Sequence, residues 1–280
     1  MLSWNLQVLQ PVRLVLGCLF VSSLLIGPNP IRRAGAQSTR LNRPSARGIR
    51  IRPVADTTQY PWSAVCKIIA TFPDQTTVEG SGTMIGPHHC LTALHLIYDT
   101  KTRTAAKRVR IVPGYDDDRL LVRGLSSRPF GTTRVGQFLF WEPHDIAIIV
   151  TDTNIGDNSS WLTVGSRSNH ELLDRNYIVA GYSGASNGSE RQGEVAVTVG
   201  SVEGDRVRLS IETPPGMEGG PIFERAARGR PGEPDVWAIV GVQIGANRGM
   251  RIPDEMRRIL DRFLRDDFSG VNANIPLPRR

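Results

Sequence analysis

From Tyr60 onward, short apolar runs alternate with turn-forming stretches. Ala64–Thr71, Gly82–Ile85, Arg108–Val112, Gln137–Phe140 and Ile146–Val150 form a first group of β-prone runs. Tyr177–Ala180, Glu194–Val199, Val207–Ile211, Pro221–Phe223 and Trp237–Ile244 form a second. Glu194–Val199 (E-V-A-V-T-V) alternates with a period of two, the signature of a strand buried on one face. Strands at this spacing predict an all-β sandwich or barrel, and periodicity alone does not choose between them. One helix is predicted near the end, over 253–266. Pro253 suits the first helical position, and Asp254 and Glu255 suit the positive end of the dipole. Met256, Ile259, Leu260, Phe263 and Leu264 then repeat as a single apolar stripe, with Arg257, Arg258, Arg262 and Arg265 mostly off it.

The chain's 280 residues are long enough to bury a sizeable core. Its formal charge of +7 is unevenly spread: residues 1–52 hold eight arginines and no acidic residue. The remainder has 26 basic and 27 acidic residues, so the basicity lies outside the body and no nucleic-acid partner is expected. Residues 1–36 read as a secretory signal peptide. Arg13 precedes the apolar run Leu14–Gly27, and Ala34-Gly35-Ala36 offers a cleavage site after Ala36. An uncleaved leader would instead anchor the chain to a membrane. Residues 37–52 are polar, basic and aperiodic, and read as a flexible linker or pro-segment. The mature chain would keep Cys66 and Cys90, either paired or as two buried thiols. His88 and His89 are placed in a turn after Gly86-Pro87, and His144 and His170 on the surface. No metal or cofactor is expected.

Three segments carry candidate chemistry, in this order: Leu91-Thr92-Ala93-Leu94-His95, His144-Asp145-Ile146-Ala147-Ile148 and Gly216-Met217-Glu218-Gly219-Gly220-Pro221. They resemble the T-A-x-H, D-I-A-L and G-x-S-G-G-P segments of the trypsin-like (chymotrypsin-fold) serine proteases. Ser81-Gly82-Thr83-Met84-Ile85-Gly86 resembles that family's strand before the histidine. Gly181-Tyr182-Ser183-Gly184 resembles a turn of the bacterial glutamyl-endopeptidase-like branch, and Val240-Gly241-Val242-Gln243 a wall of the specificity pocket. The likeness covers about residues 59–266. It implies two six-stranded antiparallel β-barrels, at about 59–150 and 160–250, followed by a C-terminal α-helix and a tail over 267–280.

In such a family a histidine takes the nucleophile's proton and an aspartate orients the imidazole. The resemblance therefore makes His95 the base and Asp145 its orienter. It makes the backbone of Gly216 and residue 218 the oxyanion hole, and puts Thr213 and Gln243 in the specificity pocket. Glutamate stands where the resemblance calls for serine. A carboxylate is a poor nucleophile toward an amide, and loss of the nucleophile in a related triad costs on the order of 10⁶ in turnover. The expectation is a secreted or periplasmic protease homologue without catalytic activity, binding a protein or peptide in the cleft between barrels. The alternatives are an active serine-type or water-activating endopeptidase and a structural cell-surface module. A desolvated Glu218 carboxylate needs a partner. It would either pair with His95 or fill the oxyanion hole, and either would raise the histidine's pKa.

Overall fold

The structure is a computed structural model that describes residues 5–6, 51–116, 131–134, 138–140, 144–151, 154–183, 191–231, 233 and 235–265. Apart from Asn5–Leu6, the leader and the linker up to Arg50 lie outside the described residues, as do Gly184 and the tail. The first-half strands are β1 (Asn5–Leu6), β2 (Arg52–Pro53), β3 (Val65–Thr71), β4 (Thr77–Met84), β5 (His89–Thr92), β6 (Tyr98–Asp99), β7 (Thr104–Ala105), β8 (Arg108–Pro113), β9 (Gly131–Arg134), β10 (Phe138–Phe140) and β11 (Ala147–Val150). The second half adds β12 (Thr163–Val164), β13 (Asn176–Tyr182), β14 (Gln192–Glu203), β15 (Arg206–Leu209), β16 (Pro221–Ala227), β17 (Val236–Gly245) and β18 (Arg248–Arg251).

These strands form two main sheets. The first runs β1-β10-β11-β5-β4-β3-β8-β9 with antiparallel neighbours, and no pairing among the described residues closes it. The second runs β17-β16-β13-β14-β15-β18 and closes through a β17–β18 pairing into a six-stranded antiparallel barrel. The all-β, two-barrel expectation therefore holds, with one barrel closed and the other an open half-barrel. The β14 alternation is real: Val195, Val197 and Val199 are buried while Ala196 and Thr198 face solvent. Strand β2 pairs with β14 and takes in Arg52, the last residue of the segment read as a linker. A buried apolar cluster draws on both sheets, and a second fills the closed barrel.

The helix spans Asp254–Leu264, with Pro253 one position earlier than expected, as the extended N-cap residue. Met256, Leu260 and Phe263 are buried. Phe263 stacks edge-on against His89 with ring centroids 5.1 Å apart. Thus His89 is not a turn residue: it opens β5, and its ring is part of the core. Among the described residues no helix is long and apolar enough to cross a membrane.

Cys66 and Cys90 are both buried and free. They lie on β3 and β5, with β4 between them: Gly82 pairs with Cys66 on one side, and its neighbourhood pairs with β5 on the other. Two strand spacings of about 4.8 Å exceed the Cα separation a disulfide spans. Burial, followed by contact with the Cys90 thiol, pushes the Cys66 pKa well above the ordinary thiol range.

Candidate active site

Strands β5 and β11 are neighbours, with Thr92 opposite Ala147. The residues just beyond β5 and just before β11 therefore meet at one end of the sheet. After β5 the chain makes a single 3-10 turn, Leu94–Leu96, whose two leucines are buried and whose central His95 is exposed. The apolar neighbours fasten the turn and direct the imidazole outward. Asp145 holds it twice: its Oδ2 lies 2.6 Å from His95 Nδ1, and its Oδ1 accepts the His95 backbone N–H at 2.9 Å. This places the proton on Nδ1 and leaves Nε2 without a hydrogen-bond partner among the described residues. Burial disfavours the charged imidazole. The Asp145 hydrogen bond and charge, aided by the charge of Glu218, outweigh burial and the opposing Arg248, and the His95 pKa rises above its ordinary value.

The loop between β15 and β16 is fastened on several sides. Met217 is fully buried, and Gly220 N–H donates to its carbonyl at 3.0 Å. Gly219 N–H donates to Gln243 O at 2.7 Å, and Gln243 N–H to Gly220 O at 2.9 Å. From the other sheet, Ser81 N–H donates to Glu218 O at 2.7 Å. The Ser81 hydroxyl donates to Gly216 O and accepts from Tyr182 N–H, both at 2.8 Å. Gly219 has φ +85°, and a Cβ there would lie 2.1 Å from Ser81 O. Only glycine fits at that position.

The Glu218 side chain folds back on the loop. Glu218 Oε2 accepts the Gly216 N–H at 2.6 Å. Among the described residues the Glu218 N–H has no partner, and neither Glu218 nor a hydroxyl is hydrogen-bonded to His95. Of the two placements open to the carboxylate, it takes the amide, while its charge still reaches His95. Ser210 is exposed on the other side of the barrel wall, accepting the Thr198 N–H at 3.0 Å.

Thr213 and Gln243 meet beneath this loop. Gln243 Nε2 donates to Thr213 Oγ1 at 2.6 Å and to Gly245 O. Thr213 Oγ1 donates to Ala246 O at 2.8 Å. Both residues are buried, and Gln243 Oε1 has no partner among the described residues. His95 also lines a groove of about 730 Å³, together with Phe72, Val78, Tyr98, Asp99 and Thr104.

Comparison with known proteins places this geometry in a family. Residues 80–230, more than half of the chain, match the model of the trypsin-like peptidase domain. The chain belongs to that family. It is 27% identical over 218 residues to the glutamyl endopeptidase of Bacillus licheniformis, a match covering 72% of this chain and 63% of that relative. The chain thus spans less than two thirds of that protein's length. A solved structure of a Glu endopeptidase in complex with MPD superposes with a TM-score of 0.63 at 21% identity, covering 79% of this chain and 99% of the other. That likeness shows the two-barrel fold.

Some contributors were not read from the sequence. Ser81, which ties the two sheets together through its hydroxyl, was noted only as part of a strand motif. Arg248, whose charge reaches His95, lies on a strand too short and charged to be recognised. His144 is buried rather than on the surface, because its Nε2 meets Asp205 Oδ2 at 2.6 Å, and Asp205 in turn meets Arg251 Nε at 3.1 Å. His170 is exposed as expected.

Proposed function

We propose that this chain is a catalytically inactive member of the family, exported from the cell, and that it acts by binding a peptide or protein segment in its cleft. Glu218 stands in the nucleophile's position. His95 and Asp145 keep the base and orienter arrangement, and Gly216 and Glu218 supply the oxyanion-hole amides. The observation that carries this reading is the 2.6 Å hydrogen bond from Gly216 N–H to Glu218 Oε2. A substrate carbonyl needs that amide as its charge develops. Here a carboxylate already holds it, through a charge-assisted bond stronger than a carbonyl oxygen makes. The same contact argues against a water-activating hydrolase, since the side chain that would serve as base occupies the place of the substrate oxygen. The groove beside His95 offers room for a ligand without requiring bond cleavage.

The test is treatment of the full chain with a fluorophosphonate probe and a fluorogenic peptide library. No covalent adduct and no hydrolysis above buffer are expected. A labelled residue, or hydrolysis abolished by His95→Ala, would overturn the reading.

A further inference from the structure

We propose that His144 is a positioning residue for the His95–Asp145 pair. Its hydrogen bond to Asp205 on the closed barrel fixes the backbone immediately before Asp145, and through it the carboxylate that orients the imidazole. The proposal concerns the geometry of the pair and stands whether the cleft binds its ligand or cleaves it.

The Asp145 carboxylate is held by His95 and by nothing else in view. Its Oδ1 accepts the His95 backbone N–H and its Oδ2 meets His95 Nδ1, and among the described residues no third group bonds it. The side chain is 29% exposed, so neighbouring atoms enclose it only in part. Its placement therefore depends on the backbone to either side. On the C-terminal side Ile146 is buried, and Ala147 pairs with Thr92 at the start of β11. On the N-terminal side the anchor among the described residues is His144, 5% exposed, with its Nε2 2.6 Å from Asp205 Oδ2. One rigid peptide plane separates the two α-carbons, about 3.8 Å apart, so a displacement of residue 144 passes directly to residue 145. The adjacent side chains reach to different halves of the molecule. Asp145 reaches the turn after β5, and His144 the hairpin between β14 and β15.

The far end of this tie is itself fixed. Arg251 Nε donates to Asp205 Oδ1 at 3.1 Å, and the Arg251 backbone N–H donates to Asp205 O at 2.8 Å. Arg251 Nη1 donates in turn to Asn169 Oδ1. Arg251 ends β18, the strand that closes the barrel, so the carboxylate facing His144 is fastened to the barrel wall. A carboxylate paired with a guanidinium accepts, so His144 donates from Nε2, whereas His95 carries its proton on Nδ1. A reciprocal tie runs the other way. Ser81 of the first sheet holds the Gly216–Gly220 loop through Gly216 O and Glu218 O. Each half of the site is thus steadied by a polar residue in contact with the other half.

The test uses the full chain and reads the His95 imidazole by NMR, through its pKa and the signal of its Nδ1 proton. His144→Phe keeps an aromatic ring and removes the donor. It is expected to lower the His95 pKa by about half a pH unit or more and to broaden the Nδ1 proton signal, because the Asp145 hydrogen bond and charge are what raise that pKa. Direct charge effects run otherwise: replacing a neutral imidazole changes no charge, and replacing a protonated one would raise the His95 pKa. His144→Gln retains an N–H donor for Asp205 and should keep both readings near those of the unaltered chain. Asp205→Ala leaves residue 144 in place and should broaden the same proton signal, so it carries the test if His144→Phe does not fold. Glu224→Gln breaks the Arg167 and Arg175 ion pairs on β16, away from residue 145, and should leave the His95 pKa unchanged. Unchanged His95 readings in folded His144→Phe, an unchanged proton signal in Asp205→Ala, or His144→Gln as damaging as His144→Phe would overturn the proposal. So would an equal drop in Glu224→Gln. Failure of both His144→Phe and Asp205→Ala to fold would assign the contact to the fold rather than to the pair, and would overturn it as well.

Discussion

The two halves of the candidate site use hydrogen bonds in opposite ways. On the first sheet, Asp145 spends both carboxylate oxygens on His95 and leaves Nε2 open to a ligand. On the closed barrel, Glu218 commits a carboxylate oxygen to the Gly216 N–H, the amide that the proposed function assigns to the oxyanion hole. Both loops are anchored by buried apolar residues, Leu94 and Leu96 in one and Met217 in the other. The difference lies in what each carboxylate binds. On the proposed function, the fold keeps its acid–base pair in working geometry while a single carboxylate takes the place of the reacting oxygen. Family membership and catalytic competence are then separate questions.

The closed half is most sensitive at its backbone. Gly219→Ala would force a Cβ into Ser81 O from a left-handed conformation. It should cost about 3 kcal/mol or more, measured by denaturant unfolding. A loss below about 1 kcal/mol would mean the loop yields more easily than the structure indicates. Ser81→Ala removes the hydroxyl joining Gly216 O to Tyr182 N–H. The Tyr182 N–H loses that acceptor and the Gly216 carbonyl that donor, and the expected loss is about 2 kcal/mol.

Smaller changes sharpen the comparison through His95. Its folded pKa is raised, so the stabilisation it provides is full below the ordinary value of 6.5 and fades as pH rises through the folded pKa. Asp145→Asn should lower the His95 pKa and remove that pH dependence, read by NMR titration and by unfolding across pH. Glu218→Gln should lower the same pKa by less, because Glu218 acts through charge alone. If Glu218→Gln has the larger effect, the carboxylate is paired with the imidazole rather than with Gly216.

Much of this was legible in the sequence, and the gaps have physical causes. The three ordered segments located His95, Asp145 and Glu218. Alternation located β14, and the apolar stripe located the C-terminal helix. Strand β5 lies outside the runs that the pattern predicts: His89 is polar in sequence but packs in the core against Phe263, a contact distant in the chain. Strand β18 reads R-G-M-R, which carries no alternation, and it forms because it closes the barrel between β15 and β17. The cysteine question needed strand order, which no spacing reveals. The sequence offered Glu218 two partners, and choosing between them required the loop's backbone conformation.

On the proposed function, one side chain separates an intact dyad from a working site, and Glu218→Ser isolates its effect. The account predicts that this variant, unlike the unaltered chain, is labelled by fluorophosphonate at position 218 and gains peptide hydrolysis by about 10³-fold or more. Labelling or hydrolysis by the unaltered chain at the variant's level would contradict it.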